Sequence, residues 1–145
     1  MKPLPSTFVV DASAGIQLFI PEEHTQDVQA LFEQSLTSPD DSLYVPDLFF
    51  IECANILWKK VRRGEYPEAA AMENLADLNA LELPSTPTAE LMERALELAC
   101  RYGVTAYDAC YIALAERREV PLLTADSRLA EKISGGQFNI CLLSD

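Results

Sequence analysis

Histidine is all but missing from this chain. The single one, His24, lies in Pro-Glu-Glu-His-Thr, read as an exposed loop or a helix start. A Ser-His-Asp triad or an H-E-x-x-H zinc site is thereby excluded. The five glycines form neither a G-x-G-x-x-G turn nor a Walker loop. Cys53, Cys100, Cys110 and Cys141 sit among apolar neighbours without a C-x-x-C spacing, which disfavours structural zinc and predicts reduced, buried thiols. Bases are few, 11 against 23 acids, and the net charge of −12 excludes a nucleic-acid binder held by overall positive charge. No apolar run approaches the roughly 20 residues that span a bilayer. The opening MKPLPSTFVVD lacks the pattern of a signal peptide, so a cytoplasmic protein is expected.

What remains in quantity is carboxylate, on a chain whose length predicts one domain over residues 1–145. Phe8-Val9-Val10 is apolar without alternation, as in a strand covered on both faces of a parallel sheet, and it stops at Asp11. An amphipathic helix is expected over residues 25–36 and a turn over residues 38–42. A strand follows at Leu43-Tyr44-Val45, then a helix from Pro46 towards Gly64. Further helices are expected over residues 67–81, with Ala70, Met72, Leu75, Leu78 and Leu81 inward, and over residues 88–102, closed by Gly103. Residues 81–85 alternate like a short strand. Thr105 to Leu129 reads as an apolar helix, a buried strand at Leu122-Leu123, and a turn, with a last strand over residues 138–143. Strands alternating with helices predict a parallel sheet with helices on both faces.

Four acids fall where chemistry collects. Asp11 and Asp126 end strands, Asp108 opens a helix, and Glu52 sits in the most apolar part of another. In a parallel sheet, functional groups gather beyond the carboxyl ends of the strands. Each acid also has a plainer explanation. Asp11 and Asp126 suit helix N-caps, and Thr105 with Asp108 resembles a capping box. Taken together, carboxylates within about 4–6 Å would repel, and a hard divalent cation such as Mg²⁺ or Mn²⁺ relieves that repulsion. Glu52, Asn55, Lys59 and Arg62 or Arg63 share one helical stripe. Lys59, Lys60, Arg62 and Arg63 form the best strip for a phosphate backbone, with Trp58 expected in the core.

In their order and separations, V-V-D-A-S, I-E-C-A-N-I-L, T-A-Y-D-A-C-Y-I-A-L-A and L-L-T-A-D-S-R-L resemble the PIN-domain family, and within it the single-domain VapC-type toxins. The resemblance covers almost the whole chain. It implies a three-layer αβα domain with a central parallel sheet, and a Mg²⁺- or Mn²⁺-dependent endoribonuclease. It carries the catalytic, metal-binding acids onto Asp11, Glu52, Asp108 and Asp126, with Ser13, Asn55 and Thr124 as polar support. It also implies an RNA substrate, a homodimer and a cognate antitoxin. Two other readings stand beside it. One is a non-catalytic PIN-like module that binds a protein partner. The other is an aspartyl phosphatase using Asp11, which lacks its second acid because Ser13 stands there.

Overall fold

The computed structural model describes residues 7–18 and 43–143. His24, the helix expected over residues 25–36 and the turn after it lie outside the described residues. Five parallel strands form the sheet: β1 (Phe8–Val10), β2 (Leu43–Pro46), β3 (Ser85–Thr86), β4 (Leu122–Thr124) and β5 (Ile140–Leu142), in the order β3-β2-β1-β4-β5. Register places Phe8 opposite Leu43, Val9 opposite Leu122 and Val10 opposite Leu123. The order reverses between β1 and β4. At such a reversal the connections leave on opposite sides and open a crevice beyond the strand ends. Helices flank the sheet on its two faces, giving the three-layer αβα arrangement.

The six α-helices of the described residues are α1 (Ala12–Gly15), α2 (Leu48–Arg62), α3 (Glu68–Ala80), α4 (Met92–Tyr102), α5 (Ala106–Arg118) and α6 (Ser127–Lys132). Asp11 caps α1, Thr105 caps α5 and Asp126 caps α6, each through a side-chain oxygen. Gly103 ends α4 in the left-handed region at φ 69°, where glycine carries no steric penalty. Helix α5 is buried all round from Ala109 to Ala115 and packs on α4, β1, β2 and β4. It is the centre of the core. Because α5 runs against the strands, its first turn returns Asp108 to their carboxyl edge.

Four expectations are corrected. Residues 81–85 do not form a strand. Glu82 turns at φ 49°, breaking extension, and β3 forms two residues long at Ser85–Thr86. On α3 the buried positions are Ala71 and Leu78, while Met72 is 63% exposed. Leu78 is inward as expected, with Leu75 and Leu81 partly buried against the core, but one residue is about 100° of helix and Ala71 takes the inward place expected of Met72. On α2 the same geometry buries Phe49, Cys53 and Leu57 and turns Trp58 outward, 53% exposed, instead of into the core. Cys53 and Cys110 are buried as expected, but Cys100 is exposed, on the outer side of α4 from Ala95 and Leu98.

Candidate functional site

Asp11 ends the central strand and is 5% exposed. Its Oδ1 accepts from the Ala14 amide at 3.0 Å and the Ser13 hydroxyl at 2.6 Å, and its Oδ2 accepts from the Thr124 hydroxyl. Each hydroxyl is in turn aimed by an amide of the turn after β4. The Ala125 N–H donates to Ser13 Oγ at 3.0 Å, and the Asp126 N–H donates to Thr124 Oγ1 at 3.0 Å. A hydroxyl has one proton, and both protons point at Asp11, so the 3.3 Å approach of the two oxygens is contact alone. This network stitches the end of β1 to the end of β4. Burial pushes the Asp11 carboxyl up to about 6; the bonds from Ser13, Thr124 and Ala14 oppose the rise, and the charge of Asp108 adds to it.

Glu52, half-buried on the first half of α2, accepts from the Tyr111 hydroxyl at 2.6 Å. Burial raises its pKa, Tyr111 lowers it, and Asp108 raises it again. Asp108 is half-buried in the first turn of α5, with its amide donating to Thr105 Oγ1 at 3.1 Å. Its carboxyl is also raised, first by burial and then by Asp126, against the Thr105 bond and the charge of Lys132. Asp126 accepts from the Arg128 and Leu129 amides at 3.0 and 3.2 Å, closing the start of α6.

Asp108 is thus the electrostatic hub. It acts on Asp11 and on Glu52, and Asp126 acts on it. Asp108 and Asp126 line one shallow concavity with Thr105, Arg128 and Lys132, and Glu52 lines another with Asn55, Lys59 and Tyr107. Among the described residues, no three acid, cysteine or histidine side chains stand close enough to grip an ion as they lie. Asp11, Glu52 and Asp126 each hold a protein donor. The donor set is nevertheless all oxygen, with three acids raised by burial and mutual repulsion, which suits a hard divalent cation. A separate cavity lined by Glu116, Glu119, Gln137, Phe138 and Asn139 opens at the opposite edge, at the start of β4 and β5.

The sequence reading missed Tyr111, Tyr107 and Lys132. Tyr111 stands three residues after Asp108, one turn along the same helix face, and that spacing was available as a signal. Nothing local marks Lys132, whose Nζ donates to the Gly103 carbonyl at 3.2 Å beside Asp108 and Asp126.

Fold and site together define an α/β domain with Asp11 and Asp126 at the carboxyl ends of two neighbouring strands of its parallel sheet. The PIN domain model matches residues 8–133, and the chain belongs to the PIN-domain family, among its VapC ribonucleases. It is 42% identical over 128 residues to ribonuclease VapC3 of Pyrobaculum aerophilum, covering 86% of this chain and 92% of that one. It is 30% identical over 133 residues to exonuclease VapC9 of the same organism, covering 91% and 90%. The crystal structure of PAE2754 from Pyrobaculum aerophilum superposes with a TM-score of 0.69 at 28% identity, over 92% of this chain and 82% of that one. VapBC-5 of Mycobacterium tuberculosis, a member of the VapBC family of toxin–antitoxin systems, shares the fold at a TM-score of 0.55 and 18% identity, over 96% and 100%.

Proposed function

We propose that this chain is a Mg²⁺- or Mn²⁺-dependent endoribonuclease, the toxin half of a toxin–antitoxin pair. The observation that carries the reading is Asp11: a carboxylate at the end of the central strand, held by three donors and still raised to about 6. An acid in that state is ionised at neutral pH only at a cost, which a cation beside it offsets. Asp11, Glu52, Asp108 and Asp126 would hold that cation. Bound there, a divalent metal supplies a more acidic water and stabilises charge developing at phosphorus.

The chain's own residues do the rest. Ser13 and Thr124 keep Asp11 ionised and fix where its two oxygens point. Tyr111 holds the Glu52 carboxylate on the side of α2 that faces the crevice. Asp126, beyond β4, would complete the metal site or orient the attacking water. Asn55 offers an amide between Glu52 and Lys59, and Lys59, Lys60, Arg62 and Arg63 would take the phosphates of the strand. The names of relatives support RNA as the polymer, and VapBC-5 supports an antitoxin partner. A homodimer working in the cytoplasm completes the proposal. The alternative is a non-catalytic PIN-like module that binds a protein partner.

The test is cleavage of one RNA sequence in linear and circularised form, with Mn²⁺ and with EDTA. Metal-dependent cutting of both forms, abolished by Asp11→Asn, is expected. Cutting of the linear form alone would make the activity exonucleolytic, and no cutting of either would favour the binding module.

A further inference from the structure

At the edge of the sheet away from the acids, where β4 and β5 begin, a cavity of about 280 Å³ opens beside the end of α5. Its floor is apolar: Ile112 and Ala115 from α5, Leu122 from β4, Ile140 from β5 and the ring of Phe138. Tyr102 holds Phe138 in place, edge to face with 5.6 Å between ring centres. The rim is polar and its charges have one sign. Glu116 and Glu119 come from the end of α5, and the amide side chains of Gln137 and Asn139 come from the segment leading into β5. The bases of this region are engaged elsewhere. Arg94 grips both oxygens of Glu116 at 2.7 and 2.8 Å, Arg117 pairs with Glu90 at 3.1 Å, and Arg118 lies over the Tyr44 ring at 4.5 Å. None of the three lines the cavity. Glu119 forms no ion pair among the described residues. Helix α5, 13 residues long, adds about half a negative charge at its carboxyl end. The cavity therefore combines negative potential with an apolar floor and holds no cation of its own.

We propose that this cavity binds a small organic cation: a protonated primary amine on an aromatic or branched aliphatic body. Each part of the ligand follows from a part of the wall. The floor takes the apolar body, whose removal from water is favourable in proportion to its area. The ammonium stays at the rim beside Glu119 and the helix end, where Gln137 and Asn139 offer side-chain carbonyls to its remaining N–H groups. The volume is that of roughly nine waters in the liquid and falls below the usual range for drug-sized sites, so the body is one ring or one branched chain. A bare metal ion does not fit, since hard cations need several oxygen ligands and this wall supplies one uncommitted carboxylate. An anion would meet charge of its own sign. The site lies at the other edge of the sheet from Asp11, and nothing in it depends on the nuclease reading.

The test is an NMR titration of the full chain, in EDTA near neutral pH, with phenylethylammonium as the probe. The amides of Glu119, Val120, Phe138 and Asn139 should shift and saturate with a dissociation constant of about 1 mM. Phenylethanol, the neutral counterpart, should bind about fivefold more weakly, and phenylacetate more weakly still. Glu119→Gln removes charge from an exposed side chain and should weaken the ammonium by about fivefold while leaving the alcohol unchanged. Ala115→Leu extends a side chain into the cavity and should abolish binding of both; should it fail to fold, the surface variant Glu119→Gln still decides. Equal binding of amine and alcohol, an indifferent Glu119→Gln, or saturable shifts centred on Asp108 and Asp126 instead would overturn the proposal. So would the absence of saturation at about 20 mM probe. The same amides moving with protein concentration alone would also overturn it, since a second copy of the chain would then cover the cavity.

Discussion

Replacing Asp11 by Asn separates what this carboxylate does for the fold from what it does for the site. In the folded chain its pKa stands at about 6 against an ordinary 3.8, a rise worth about 3 kcal/mol. A raised carboxyl is at its most stabilising below pH 3.8, where it is protonated in both folded and unfolded chains. That contribution is lost as the pH climbs through 6, because folding then confines a charge that the unfolded chain leaves in water. Above that, metal-free protein carries the whole cost. The amide of Asn is neutral at every pH, and its oxygen can take the bonds from Ser13 and Ala14. Its NH₂ meets the Thr124 hydroxyl, which can turn to accept while still receiving the Asp126 amide. Allowing about 1 kcal/mol for the changed bonds, Asp11→Asn should be more stable than wild type by about 2 kcal/mol at pH 8. The melting point should rise by about 6 °C. The assay is thermal unfolding of both proteins from pH 4 to 8 in EDTA, then again with Mn²⁺. The gap should close towards pH 4, and Mn²⁺ should raise wild type alone. A gap that widens in acid would refute the buried-charge argument, and an equal Mn²⁺ effect on both proteins would show that Asp11 is no ligand.

Two further outcomes are expected. Tyr111→Phe removes the donor that steadies Glu52, and partners of this kind are worth about 10–100-fold in metal affinity, readable by calorimetric titration with Mn²⁺. Unchanged affinity would make that bond purely structural. Gly15→Ala would set a Cβ 2.7 Å from Phe49 Cζ, inside a ring that is fully buried, and should cost about 1–3 kcal/mol in urea unfolding. A neutral result would mean that α1 can move off α2.

Much of this arrangement is legible in the sequence because parallel strands leave a strong trace. Phe8-Val9-Val10 and Leu122-Leu123 are continuous apolar runs, and both stop at polar residues on the crevice. Strand β3 left no such trace: two residues between Pro84 and Pro87 are too few for periodicity to register, and the alternation just before them belongs to a turn. Helical spacing revealed that α2 and α3 have an apolar side. It does not reveal which neighbour covers it, so it points Trp58 and Met72 inward although both stand more than half exposed. Asp11, Asp126 and Asp108 were readable as strand-end and helix-start residues, and Glu52 as an acid within an apolar stretch of helix. Their partners were not all readable: Tyr111 reaches Glu52 across 59 residues of chain, a pairing that exists only after α5 docks beside α2.

The acids at the crevice also serve as fastenings. Asp11 starts α1 and ties β1 to β4, and Asp126 starts α6, each through the oxygens that a metal would use. Loss of a helix cap costs about 1 kcal/mol whether or not any catalysis occurs. On the proposed reading, natural selection acts on these positions twice, once through chemistry and once through folding. A descendant of this chain that had given up cutting RNA would still keep a capping side chain, Asp or Asn, at positions 11 and 126, because its helices need one. Glu52 caps nothing and closes no strand, so drift at that position would be the earliest sign in a lineage that the enzyme had become a scaffold.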